Sequence, residues 1–449
     1  MFWIKPEEMY YDWGNTALVN QFFDLGIPEG SHLAELWMGS HPRGPSRIMD
    51  PATGLPLEDL TLLDLLHAHP EYSAAPPSPE GSRRAPELGD DSGERLRNNP
   101  PAGAPNPLPF LFKILSAEKA LSIQAHPSLE QARQGWEREN AQGIDPNAPH
   151  RNYRDPNHKP ECMYALSTFW ALRGFRNPRD IARDLSFLQD SCPGIVEPLG
   201  LSDPAKALSG FLTAVLECSG RDLDLLLQEV SRQARETLNA RGIDYTSQDH
   251  LGTADREYWP AIWTLRLMDQ YPGDPGSLAP FYLRIFRLEP GQAVVLPAGV
   301  LHAYLQGIGL EAMANSDNVL RAGCTPKHVD IPELLRVVSF NEDTSRPVTP
   351  DLETPLGTGF SEFELVLHEN RLPTPSRGFD SGPSAAILLG LEGEVILRYS
   401  RPKQGGNLPE GFVQEITLPR GRSVFIPPGS GSIAVSGQGR FARCLQGSR

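Results

Sequence analysis

Short apolar runs separated by Pro-Gly turns occupy both ends of the chain. Leu283-Arg-Ile-Phe-Arg-Leu288 and Ala293-Val-Val-Leu296, divided by Glu289-Pro-Gly291, read as two strands. Leu108-Pro-Phe-Leu-Phe-Lys-Ile-Leu115 reads as a buried wall. Strands this short, at this spacing, predict a sandwich or barrel. Between Asn177 and Gly273 the period changes: Leu208, Leu212, Val215 and Leu216, then Leu223, Leu226, Leu227 and Val230, recur at helical spacing. Asn177-Pro178 and Ser202-Asp203-Pro204 place capping residues just ahead of a first-turn proline. The pattern predicts a mainly β chain with a helical insert. From Glu71 to Pro107, Pro, Gly, Ser and charge replace apolar residues, which predicts a disordered surface insertion.

An internal repeat sharpens the fold. Gly291-Gln-Ala-Val-Val-Leu-Pro-Ala-Gly299 and Gly421-Arg-Ser-Val-Phe-Ile-Pro-Pro-Gly429 share Gly, Val, an aliphatic residue, Pro and Gly at the same offsets. Glycine and proline at matched turn positions imply matched backbone geometry, hence two related jelly rolls. Three residues after Gly299 stands His302, whereas the equivalent residue after Gly429 is Ser432. Only the first copy can use that position to hold a metal, so the second is expected to be structural.

Length and charge narrow the class. At 449 residues the chain exceeds what one hydrophobic core serves, so more than one domain is expected. The boundaries read as 1–176 for the first part of a metal-binding domain, 177–269 for the helical subdomain, 270–335 for the second part of that domain, and 336–449 for a C-terminal jelly roll without metal ligands. No apolar run approaches the roughly 18 residues of a membrane span, and Met1-Phe-Trp-Ile-Lys does not open like a secretion signal. Five scattered cysteines with no C-x-x-C pair suit a reducing compartment, so a cytoplasmic protein is expected. A net charge of −15 argues against nucleic acid as a partner. Any anionic ligand must then meet a local basic cluster.

Three segments carry candidate chemistry. Gln124-Ala-His126 spaces two ligand-type side chains by two, which on a strand puts both on one face. In Asn157-His-Lys-Pro-Glu161 a carboxylate enters the apolar run Cys162–Leu166, where it needs a cation or metal because an unpaired buried charge costs several kcal/mol. Val300-Leu-His302-Ala-Tyr304 again points two polar side chains the same way. Gln124, His126, Glu161 and His302 together make an N/O donor set suited to a catalytic divalent ion; zinc fits, and manganese, iron and cobalt are not excluded by donor chemistry. Gly307 to Lys327 adds small residues, two acids and two bases in one stretch.

The order of motifs resembles the type I phosphomannose isomerases: Tyr10-Tyr-Asp-Trp-Gly14, Ala34-Glu-Leu-Trp-Met-Gly39 with His41-Pro42, Phe110-Leu-Phe-Lys113, Leu121-Ser-Ile-Gln-Ala-His-Pro127, His158-Lys-Pro-Glu161, and Leu310-Glu-Ala-Met-Ala through Ser316-Asp-Asn-Val-Leu-Arg-Ala-Gly323. The resemblance runs from the start of the chain to about Asp330. It implies a cupin fold made of two jelly rolls and an α-helical subdomain, one Zn2+ per chain on Gln124, His126, Glu161 and His302, and Arg321 as a catalytic arginine. Lys113, Ser122, Lys159, Tyr304, Glu311 and Asp317 fall on positions that line the family's pocket. Two departures stand out: Cys324 replaces the leucine usual in the Ala-Gly-Leu-Thr-Pro-Lys run, and the 71–107 insertion is longer than the family pattern.

The activity implied is interconversion of mannose 6-phosphate and fructose 6-phosphate through an enediol(ate), supplying GDP-mannose synthesis. Arg321, Lys159 and Glu311 are expected to carry the chemistry, with Asp317 a further acid–base candidate. Lys113, Ser122, Tyr304 and Asp317 are expected to bind a small sugar phosphate, Lys113 and Arg321 meeting its phosphate. No membrane partner is expected, and the chain is expected to be a monomer or weak homo-oligomer. The competing readings are an iron oxygenase on the same fold, which leaves the lysine and arginine positions unexplained, and a non-catalytic sugar-phosphate-binding cupin paralogue.

Overall fold

The computed structural model describes residues 1–28, 30–73, 107–371, 377–399 and 415–447. Most of the insertion read from the sequence at 71–107 therefore lies outside the described residues. Contacts gather the chain into two units, one of Met1–Glu7, Trp37–Phe112 and Leu352–Arg449, the other of Glu8–Leu36 and Lys113–Asp351.

The first unit is built on an antiparallel sheet whose strands run in the order Glu364–Asn370, Ser432–Leu445, Ala386–Tyr399, Ser423–Ile426, Phe2–Lys5, Arg47–Met49 and Pro56–Thr61. The long strands alternate apolar residues into a core that includes Leu388, Val395, Leu397, Val424, Ile426, Ile433, Val435 and Phe441. Phe2 pairs with Phe425, so the first residues of the chain extend this sheet.

The second unit carries the other sheet, ordered Leu283–Leu288, Phe169–Phe175, His302–Ala314, Phe110–Ala117, Leu33–Met38 and Glu7–Tyr10, with Ala293–Leu296 on Glu161–Ala165 and Leu320–Gly323 on Ile123–Ala125. Its longest strand, His302–Ala314, serves two partners. The first half pairs with Phe169–Phe175 and the second with Glu161–Ala165. The change of partner follows a register shift between Tyr304 and Gln306 and falls at Gly307, whose φ is +128° and where a Cβ would lie 2.7 Å from the Thr168 carbonyl oxygen. Only glycine takes that backbone without strain. The bend lets one strand bring His302 and Glu311 to a common site.

The helices expected in the middle of the chain form as predicted. Pro178–Asp184 is capped by the Asn177 side chain and Pro204–Glu217 by Asp203, each with proline in the first turn. Leu208, Leu212, Val215, Leu226 and Val230 are buried. Helical structure continues past the expected boundary at 269, through Trp259–Gln270 and Ala279–Tyr282.

This helical layer has a definite relation to the sheet. Its core includes Ile123, Ala125, Leu301, Ala303, Leu305, Leu320 and Ala322. Each is a strand neighbour of Gln124, His302, Tyr304 or Arg321. Because successive strand side chains point to opposite faces, burying the apolar set against the helices turns the polar set to the other face. The helical segment thus fixes the orientation of the site residues without contributing a ligand to it.

Candidate metal centre

His126, Glu161 and His302 meet in the second unit with one ligand atom of each within 4.8 Å of the others. Their exposures are 2, 1 and 1%. Glu161 Oε1 lies 3.3 Å from His126 Nε2, and Glu161 Oε2 lies 3.3 Å from His302 Nε2. Donors about 2.0–2.2 Å from a shared ion at tetrahedral angles lie roughly 3.3–3.6 Å apart. The spacing is therefore that of a ligand set.

The histidine tautomers agree with this. His126 Nδ1 donates to the Asn318 carbonyl at 2.8 Å and His302 Nδ1 to the Val300 carbonyl at 2.9 Å, leaving each Nε2 as a bare lone pair aimed at Glu161. Burial pushes the His126 imidazole down to about 4 despite the neighbouring Glu161, so the ring is neutral, as a ligand must be. His126 Nε2 and Glu161 Oε2 make no hydrogen bond. Lys159 meets Glu161 Oε1, but Oε2 and the imidazole lone pair of His126 are left without a donor, and a divalent metal would satisfy both.

Gln124 stands beside these three residues. It stands opposite both His302 and Arg321 in register, so all three side chains share a face of the sheet. Its amide lies 3.5 Å from His302 Nε2, and its oxygen accepts from Ser122 Oγ at 3.4 Å. Rotating the amide by half a turn presents oxygen instead of nitrogen to the cluster. Ser122 is thereby placed as a support for Gln124.

Beside the cluster, the strands Phe110–Ala117 and His302–Ala314 bury an ion triplet. Lys113 Nζ donates to Glu311 Oε2 at 3.0 Å and to Glu35 Oε1 at 3.3 Å. Burial alone would lower the lysine pKa, but Glu311, Glu35 and Glu161 outweigh it and hold the ammonium above its ordinary value. Glu311 is raised by burial, against the pull of Lys113. Burial, then Glu311 and Glu161, push the Tyr304 phenol well above the usual tyrosine range, so it remains a donor. Lys159 Nζ sits 3.2 Å from Glu161 Oε1; burial would raise that carboxyl, but Lys159 and His126 hold it well below the usual range.

The remaining expected residues flank this core. Asp317 lies in the turn before Leu320–Gly323, its backbone N–H donating to Asp155 Oδ2 at 2.8 Å. Arg321 is half-buried, and burial followed by the nearby Arg154 charge lowers its pKa. The structure thus brings Gln124, His126, Glu161, His302, Lys113, Lys159, Tyr304 and Glu311 together, with Ser122, Asp317 and Arg321 at the margin. Lys113 is enclosed by carboxylates, not presented as a free charge.

Two participants escaped the sequence reading. Glu35 is an acid inside Leu33–Met38, a strand buried throughout; the reasoning applied to Glu161 would have singled it out. Asn318, fully buried, accepts from the backbone N–H of Arg154 at 2.7 Å and donates to the carbonyls of Asp155 and Asn157 at 2.7 and 2.8 Å, while its own carbonyl orients His126. Nothing in its sequence context marked it.

The family model for the phosphomannose isomerase type I catalytic domain matches residues 1–80 and 90–178. Mannose-6-phosphate isomerase of Salmonella typhimurium is 35% identical over 96% of this chain and 96% of its own, and that of Escherichia coli is 34% identical over the same shares. The chain belongs to the type I phosphomannose isomerase family. Among solved structures of the family, a zinc-bound mannose 6-phosphate isomerase superposes with a TM-score of 0.78 at 31% identity, covering 100% of this chain and 99% of the other. The apo form from Salmonella typhimurium gives 0.77, also at 31% identity. Family membership extends to the fold, two antiparallel sheets with a helical segment inserted between strands of the second.

Proposed function

We propose that the chain catalyses the interconversion of mannose 6-phosphate and fructose 6-phosphate at the centre formed by Gln124, His126, Glu161 and His302, with one zinc ion held by these four side chains. The observation that carries the reading is the pair of buried imidazoles, each with Nδ1 committed to a backbone carbonyl and Nε2 turned on one carboxylate. Family membership and the zinc-bound relative support it.

When bound, zinc would supply Lewis acidity to polarise the sugar's carbonyl and hydroxyl oxygens. The protein's task is to move a proton between those carbons and stabilise the negative charge that develops. Glu311, with a pKa raised by burial, holds and releases a proton closer to neutrality than an exposed glutamate does. Lys113 bonds to Glu311 and Glu35 and fixes the carboxylate in place. Tyr304 stays protonated, and its buried hydroxyl, which has no hydrogen-bond partner among the described residues, is available to donate to a substrate oxygen. Lys159, 3.2 Å from Glu161, and Arg321, opposite Gln124 in strand register, bring positive charge to the cluster, where charge on the enediolate is stabilised. Ring opening, which must precede proton transfer, draws on Lys159, Glu311 and Asp317 as acid–base groups.

The product of this reaction feeds the supply of GDP-mannose in a cytoplasmic setting, which the free cysteines suit. No described helix is long and apolar enough to cross a membrane.

A coupled assay for fructose 6-phosphate, run before and after chelation and with zinc restored, tests the reading. Activity lost to the chelator and recovered with zinc is expected. A folded, zinc-loaded protein that turns over no mannose 6-phosphate would overturn it in favour of a non-catalytic binding protein.

A further inference from the structure

A sugar phosphate brings roughly −1.5 to −2 charges into a protein of net charge −15. The basic side chains of the site are unequally available for it. Lys113 is engaged by Glu311 and Glu35, and Lys159 by Glu161. Arg154 and Arg321 form no ion pair with any described residue. Arg321 donates no side-chain hydrogen bond to the described residues, and Arg154 makes only a long one, 3.5 Å, to the Ala148 carbonyl. Arg154 is the charge that bears on Arg321 from nearby. Both guanidinium groups are half-buried, neither has a carboxylate of a described residue within ion-pair distance, and like charges near one another repel unless an anion joins them.

The backbone around Arg154 is held from both sides. Tyr153 N–H donates to Glu139 Oε2 at 2.9 Å, and the N–H groups of Arg154 and Asp155 both donate to Asn318 Oδ1, at 2.7 and 3.3 Å. The Tyr153 hydroxyl is fixed on Glu333 at 2.7 Å. Asn318 lies three residues before Arg321 and also orients His126 through its carbonyl. Through its side-chain amide and its backbone carbonyl, the one buried residue Asn318 therefore ties the Arg154 backbone to the chain that carries Arg321 and to His126 of the metal centre.

We propose that Arg154 is a substrate-binding residue that, with Arg321, grips the phosphate group of the sugar phosphate. The inference rests on the isomerase reading above and adds the residue that anchors the non-reacting end of the substrate. A planar guanidinium matches phosphate geometry with two parallel N–H donors, and two of them balance a dianion. Because the phosphate does not react, the grip contributes to binding more than to the chemical step.

The test is steady-state kinetics on zinc-loaded wild type, Arg154→Gln and Arg154→Lys, with inorganic phosphate as a competitive inhibitor. Arg154→Gln is expected to raise KM for mannose 6-phosphate about 10- to 100-fold, the size of one lost charge-assisted hydrogen bond, with kcat within about threefold. Inhibition by phosphate weakens by the same factor, and Arg154→Lys falls between. A folded Arg154→Gln with wild-type KM and wild-type phosphate inhibition overturns the proposal, as does a fall in kcat at unchanged KM. Should Arg154→Gln fail to fold, Arg154→Lys carries the same decision. Absence of turnover in the wild type would remove the isomerase reading itself, a result distinct from an Arg154 variant that behaves like an active wild type.

Discussion

Lys113→Met offers the sharpest test of the charge arrangement. Lys113, Glu35 and Glu311 are 5, 8 and 3% exposed, so the three side chains interact with little screening by water. Methionine preserves most of the apolar stem and removes the ammonium. Two buried carboxylates then remain with no lysine between them. Breaking a buried ion pair by deleting one partner costs about 3–5 kcal/mol. At about 2–4 °C per kcal/mol for a unit of this size, the melting temperature should fall by about 6–20 °C. The loss should depend on pH in a definite direction. A carboxyl whose folded pKa lies above its unfolded value destabilises the fold at high pH, and the penalty fades as pH falls through the folded value. Glu311 is already raised by burial, and Lys113 is the main group lowering it, so the variant raises it further. Thermal melts of zinc-loaded protein should therefore show a deficit that shrinks as the pH is lowered toward the raised Glu311 pKa, and Lys113→Met/Glu311→Gln should recover part of it. A variant melting within about 2 °C of wild type throughout, or a deficit that grows on acidification, refutes the buried-triplet argument.

Other substitutions probe separate parts of the structure. Glu161→Gln should weaken zinc by more than the 10- to 100-fold typical of losing a group that merely supports a ligand, measured by competition with a chromogenic chelator. Asp343→Asn should cost about 1–3 kcal/mol in urea unfolding at pH 7, because Arg173 and Ser345 lose a charged acceptor. Although burial alone would raise it, these partners hold the Asp343 pKa below 3.8, so its stabilisation is present above that value and the gap between variant and wild type closes as pH falls through the folded pKa. Gly307→Val places a Cβ 2.7 Å from the Thr168 carbonyl at φ +128°, and should lower stability by at least about 1–3 kcal/mol and reduce activity in the coupled assay.

Much of the fold was legible because single residues with one physical meaning punctuate the chain. Asn177 and Asp203 announce helix starts that the structure contains, and Leu283–Leu288 and Ala293–Leu296 are strands with the expected limits. The donor residues were legible through the two-residue spacing of Gln124 with His126 and of His302 with Tyr304, and through the carboxylate at the head of an apolar strand. What stayed hidden depends on distant pairing. Phe2 beside Phe425 and Lys113 between Glu35 and Glu311 are consequences of sheet order, which local periodicity does not encode. Asn318 was hidden for another reason: a polar residue in a polar loop gives no sign that its amide will be buried and fully engaged.

The two copies of the Gly-to-Gly repeat show how one strand arrangement can serve different ends. Gly291 and Gly421 have φ of +92° and +80°, and Gly299 and Gly429 have +77° and +64°. Each first glycine is the third residue of a turn closed by a backbone bond, Gln292 to Glu289 in one copy and Arg422 to Pro419 in the other, and each turn is followed by a four-residue strand. His302 then opens the longest described strand of its unit, and Ser432 one of the two longest of its own. The backbone demands of the turn are met by glycine and proline in both copies, so the residue that opens the next strand is left free of the fold's requirements. In one copy it is a buried imidazole with its Nδ1 fixed by a carbonyl, in the other an exposed hydroxyl. A metal-ligating or a plain polar residue at this position therefore asks for no change in the turn, so the same turn supports a strand that opens on an imidazole and one that opens on a hydroxyl.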